Sequence, residues 1–94
     1  MQVKEAEFEE IRISLSSMRL DSFVAKISKT SRGKAEEFLK ENKVFVNARV
    51  QTKDTKAICK DDVIAIRGIG KFVIYEVFFD GKKNKNVLVV KKYK

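Results

Sequence analysis

In the segment FEEIRISLSS, Ile11, Ile13 and Leu15 alternate with Arg12, Ser14 and Ser16, the two-residue period of a half-buried strand. The period then lengthens. Leu20, Phe23, Val24 and Ile27 stand at i, i+3, i+4 and i+7, which predicts an amphipathic helix from about Arg19 to Ser28. Ser31 is a good N-cap for a second helix with an apolar face of Ala35, Phe38 and Leu39, and Asn42 can close that helix in place of glycine. From Val44 onward the stretches VFVN, VIAIR, FVIYEVFF and NVLVVKKY are β-branched or aromatic, separated by NARVQTKDTK, GIGK and DGKKNK, which carry turn residues. The pattern predicts an α+β fold: a two-helix, helix-turn-helix-like unit packed on a small, curved, mostly antiparallel sheet. The N-terminal strand is an addition to that sheet, with a place beside the last strand as its expected pairing. Phe72, Tyr75, Phe78 and Phe79 fall mostly in the core on strand period.

Composition bounds this picture. The chain has 94 residues, 44% of them hydrophobic, which suits one compact domain with a small core. Residues 1 to 17 form a lead-in containing a strand, and residues 18 to 94 the folded domain. Apolar runs such as VFV and VLVV are too short for a membrane span, and the acidic N-terminus does not resemble a signal peptide, so a soluble, intracellular protein is expected. Cys59 is the single cysteine and allows no internal disulfide. The net charge is +8, from 21 Lys plus Arg against 13 Asp plus Glu, and because the lead-in is net acidic the excess belongs to the folded part. Such a balance favours a polyanion, either nucleic acid or an anionic membrane surface. The alternative is a merely soluble, lysine-rich protein.

Catalysis finds little support. Histidine is absent, which excludes a Ser/His/Asp triad, a Cys/His dyad and a histidine metal site, and one cysteine cannot build a zinc cluster. Cys59, after Ile58, reads as a small buried or half-buried hydrophobe rather than a nucleophile. Asp61 and Asp62 precede a strand, where a polar turn is expected. Gly68 and Gly70 in RGIGK lack the third glycine and the following helix of a nucleotide-binding loop and read as turn or bulge residues. No cofactor and no metal are expected.

The order of charges around the second helix start carries more content. Lys29, Arg32 and Lys34 crowd a helix N-terminus, whose partial positive charge prefers acids, while Glu36, Glu37 and Glu41 arrive only after the first turn. On the first helix Ser22, Lys26 and Lys29 form a row at i, i+4 and i+7 that leads to Ser31, Arg32 and Lys34. Free backbone N–H groups, a serine hydroxyl and flanking cations make a phosphate-binding site. The competing reading is a solvated charged face. Lys82, Lys83, Lys85, Lys91, Lys92 and Lys94 widen the electrostatic footprint at most. With no exposed aromatics evident, recognition of the shape and phosphates of structured RNA fits better than a stacking platform.

Residues 18 to 50, MRLDSFVAKISKTSRGKAEEFLKENKVFVNARV, resemble the S-four RNA-binding domain, named after a small-subunit ribosomal protein. The resemblance rests on Arg19, Leu20 and Asp21, on Ser31, Arg32 and Ala35, and on Val44, Val46 and Asn47. With FEEIRISLSSMRLD before them and DDVIAIRGIGKFVIYEV after, nearly the whole chain looks like the C-terminal domain of YlmH-type proteins. The resemblance implies a non-catalytic module that binds structured rRNA or tRNA, associated with the ribosome and with rescue of stalled translation. It implies an RNA-facing set of Arg19, Lys26, Lys29, Ser31, Arg32, Lys34, Lys43, Asn47 and Arg49, with Asp21 positioning the helix pair. A monomer is expected, without a membrane partner, in the cytoplasm or, in a plastid-bearing source, the chloroplast stroma. The chain departs from the family where glycine is usual: at Asn42 or Lys43, at Ala48, and at Asp61 of the Asp61-Asp62 pair. Two other readings stand beside this one: an accessory domain of an RNA-modifying enzyme such as a pseudouridine synthase, and a protein-interaction adapter.

Overall fold

A computed structural model describes residues 8–53 and 56–93, so that Lys4, Glu5, Glu7 and Lys94 lie outside the described residues. The elements in chain order are β1 (Phe8–Leu15), α1 (Leu20–Ser28), α2 (Arg32–Lys40), β2 (Val44–Val46), β3 (Arg49–Val50), β4 (Val63–Ile66), β5 (Gly70–Asp80) and β6 (Lys85–Tyr93). They form two helices on a six-stranded antiparallel sheet ordered β1-β6-β5-β4-β2-β3. β1 does pair with the last strand, Phe8 opposite Tyr93 and Leu15 opposite Asn86. The short β3 falls within a stretch read from sequence as a connection; it pairs Val50 with Phe45 and Arg49 with Val46.

Each helix ends by a device its sequence supplies. α1 starts without a side-chain cap; instead the loop at 56–58 runs alongside, the Leu20 amide donating to the Lys56 carbonyl at 2.9 Å and the Ile58 amide to the Met18 carbonyl at 3.1 Å. α2 starts at Ser31, whose hydroxyl oxygen accepts from the Lys34 amide at 3.2 Å. It ends on Asn42 at φ 60°, with the Lys43 amide donating to the Phe38 carbonyl.

Leu20, Phe23 and Val24 of α1 and Ala35 and Leu39 of α2 bury against Val44, Ile64, Ile66, Phe72, Ile74, Leu88 and Val90 of the sheet. Removing each of these side chains larger than alanine from water stabilises the fold by roughly 1.5–3 kcal/mol. The aromatic expectation needs correction. Phe72 is buried, but Tyr75, Phe78 and Phe79 are 49%, 50% and 60% exposed. Tyr75 follows Val73 onto the face away from the core by simple alternation, Phe79 lies near the end of β5, and Phe78 is turned outward by a bulge between Ile74 and Glu76, which pair with the adjacent Val90 and Val89. The extra residue breaks the alternation begun by Phe72 and Ile74, so that Val77 is the next side chain to pack on the core.

Of the places where the resemblance leads one to expect glycine, Ala48 (φ 72°) and Asp61 (φ 75°) have left-handed backbone, and of the pair Asn42 and Lys43 it is Asn42 that does, at φ 60°. Asn and Asp tolerate that region, whereas alanine there costs roughly 1–2 kcal/mol. Asn47 (φ 53°) and Ala48 are the two central residues of the β2–β3 turn, both with positive φ, a type I′ pattern that asks for Asn-Gly. Ala48→Gly is therefore expected to stabilise the domain, by about 0.5–1 kcal/mol after allowing for the greater freedom of glycine in the unfolded chain. Urea unfolding of the two proteins checks this. A lower midpoint for the glycine variant would contradict the turn geometry.

Candidate nucleic-acid interface

The site is organised around Asp21, which sits in the first turn of α1 and is fully buried. Arg19 holds it in a two-pronged grip, Nε donating to Oδ1 at 3.2 Å and Nη2 to Oδ2 at 2.8 Å, and Arg32 at the start of α2 reaches Oδ2 at 3.3 Å. The Ser22 amide donates to Oδ1 at 2.7 Å. Burial pushes the Asp21 carboxyl upward in pKa, but the Arg19 hydrogen bonds, the Ser22 amide and the charges of Arg19 and Arg32 outweigh it and hold the group below its ordinary value of 3.8. One carboxylate thus ties both helix starts together, the positioning role expected of it. It also explains part of the crowding of cations at α2, because Arg32 finds its acid on α1 rather than in its own first turn.

Arg32 remains 58% exposed at its side chain and still has donors to offer. It borders a shallow groove of about 670 Å³ between β1 and the helix pair, lined among others by Arg12, Ser14, Ser22, Lys26 and Lys29. The described lining brings four cations together and no carboxylate. Lys26 stands in the last turn of α1, where the helix dipole favours a cation. Lys29 ends α1 at φ 59°, in the left-handed region where glycine would be less strained. The contribution of β1 was missed in the sequence. Arg12 and Ser14 read there only as the polar side of an alternating strand, and nothing in one strand's period shows which helix it will flank. Arg12 is itself 3.5 Å from Glu10, an exposed pair worth little.

The other expected RNA-facing residues fall into two further places. Lys34 and Lys43 each hold their ammonium groups 5.7 Å from the centre of the Phe38 ring, and each pairs with an exposed acid, Glu37 at 3.5 Å and Glu41 at 3.0 Å. Arg49 lines a second concavity of about 340 Å³ with Asn47 and Lys56, a lysine the sequence reading did not single out. The Asn47 amide is engaged inside the fold: Nδ2 donates to Asp62 at 3.2 Å, and Oδ1 accepts from the Val63 amide at 3.0 Å. The Ser31 hydroxyl is likewise engaged by its own helix.

Cys59 corrects the sequence expectation: it is exposed, because Ile58 takes the buried position and Cys59 begins the turn before β4. The Asp62 carboxylate beside it pushes the thiol pKa up, with help from burial and Asp61, which keeps it in the protonated, weakly nucleophilic form. Among the described residues no group of three or more His, Cys, Asp or Glu is placed to hold a metal ion, and no helix is long and apolar enough to cross a membrane.

No protein-family model matches the chain. The chain is similar to the ribosome-associated protein quality control protein P2 of Bacillus subtilis, with 32% identity over 72 residues. The match takes in 77% of this chain and 28% of that relative, so the chain spans little more than a quarter of the relative's length.

Proposed function

We infer that the chain is a non-catalytic RNA-binding module that docks on structured rRNA or tRNA through the basic groove and the helix pair, as a monomer and as part of a ribosome-associated factor. The observation that carries this reading is the groove: Lys26, Lys29 and Arg32 line it from the helix pair, Arg12 of the edge strand β1 borders it, and the described lining holds no acid. Within the fold Arg32 is answered by Asp21 and Arg12 by Glu10, but Lys26 and Lys29 have no such ion pair among the described residues, and RNA phosphates give them a role. The name of the similar Bacillus subtilis protein and the resemblance of residues 18 to 50 to the S-four domain support the same direction, and such a role belongs in the cytoplasm, where ribosomes work.

The test is titration of a fluorescent, structured rRNA fragment across a salt series, with duplex DNA as competitor. The native protein is expected to prefer the RNA, and Arg32→Ala, Lys34→Ala to weaken binding with a shallower dependence on salt. Equal retention of RNA and DNA by both proteins would reduce these cations to surface charge.

A further inference from the structure

Both helices pack on the face of the sheet that carries Leu88 and Val90. Strand alternation and register place Val87, Val89 and Lys91 of β6 on the other face, opposite Phe78, Glu76 and Val73 of β5, and no described helix covers it. On β5 this face presents Tyr75 and Phe78, both half exposed, while Val89 is recessed at 8%. Exposed rings standing over recessed valines are not a folding requirement. A small domain gains nothing in stability from leaving such rings in water.

The surroundings of the rings identify what fits them. The ammonium of Lys91 lies 3.9 Å from the centre of the Tyr75 ring, and that of Lys71 lies 5.0 Å from the Tyr93 ring. The β5–β6 ribbon carries six lysines against two acids, Glu76 and Asp80, and the Asp80 carboxylate accepts from the Lys82 and Lys83 amides at the turn. A second copy of so basic a ribbon would be repelled, whereas an anion is attracted. Aromatic faces interleaved with cations offer what a single-stranded nucleic acid needs, a π surface for each base and a charge for the following phosphate. The face is also continuous with the groove. Arg12 lines the groove, and in register it stands opposite Val89, which is paired in turn with Glu76 beside Tyr75.

We propose that the uncovered sheet face is a second, separate contact for RNA, which takes an unpaired stretch by stacking bases on Tyr75 and Phe78 with phosphates on Lys91 and the lysines of the β5–β6 turn. A strand leaving a folded RNA in the groove reaches this face around the edge formed by β1.

The experiment uses the full chain and a fluorescent ten-nucleotide oligouridylate, which has no structure for the groove to read. The double variant Tyr75→Leu, Phe78→Leu keeps apolar bulk and removes the rings; roughly tenfold weaker binding is expected for each ring lost. Amide shifts of the native protein on titration report the site without any substitution, and are expected at 73–78 and 87–91. Undiminished binding by the leucine variant overturns the proposal, as do shifts confined to the groove or absent altogether. So does self-association of the native chain that the leucine variant abolishes, which would make the face an interface between copies.

Discussion

Asp21→Asn is expected to destabilise the domain by about 2–3 kcal/mol at neutral pH, and by much less in acid. Removing one member of a buried charged cluster typically costs about 3–5 kcal/mol. The figure is smaller here because Arg19 and Arg32 are partly exposed, at 36% and 58%, and can return to water once released. An asparagine amide at this position also turns a donor toward guanidinium donors. For a domain of this size the loss corresponds to a fall in Tm of roughly 10–20 °C. The sign of the pH dependence follows from the direction of the shift. The folded pKa of Asp21 is depressed, so its contribution is fully present above the unfolded value near 3.8 and is lost as pH falls through the lower, folded value. Urea unfolding of both proteins at pH 7 and near pH 3 checks this. A stability gap that stays constant between the two conditions would mean that the ion cluster is not what Asp21 contributes.

That cluster also shows how far the sequence could be read. The spacing of Leu20, Phe23, Val24 and Ile27 lay on one chain segment, and α1 came out within a residue of the positions it implied. Asn42 closes α2 as read, because a left-handed backbone is a local property. What local pattern could not reach was any feature that depends on a partner distant in sequence. The bulge at Tyr75 is set by the register of β5 against β6, and it turned Phe78, read as core, to the surface. Arg12 joins the groove only because β1 pairs with β6, 71 to 85 residues away, and lies along α1. Conversely, Asn47, which the resemblance placed among the RNA-facing residues, has its side chain bonded within the protein to Asp62 and Val63, partners that only the fold brings to it.

Replacing Lys29 separates the groove's function from the fold's stability, because the two respond in opposite directions. Lys29 occupies left-handed backbone at φ 59°, so Lys29→Gly relieves strain of roughly 1–2 kcal/mol while adding some freedom to the unfolded chain. It is expected to leave the domain as stable as the native protein or slightly more so. Combined with Lys26→Ala it removes two of the four groove cations without touching the Asp21 cluster. An exposed charged contact is worth up to about 1 kcal/mol, so the pair predicts roughly 30-fold weaker binding to the structured rRNA fragment at physiological salt. The slope of log affinity against log salt should become shallower by about 1.4 to 1.8, since each phosphate neutralised contributes about 0.7 to 0.9. Arg32 is less diagnostic, because part of its charge is already answered by Asp21 and its removal disturbs the helix pair as well. A cation kept where glycine would fold more easily is what selection for a ligand would leave behind. If the double variant is more stable and binds RNA with unchanged affinity and salt slope, the groove is not the phosphate site, and Lys34, Lys43 and Arg49 become the residues to neutralise next.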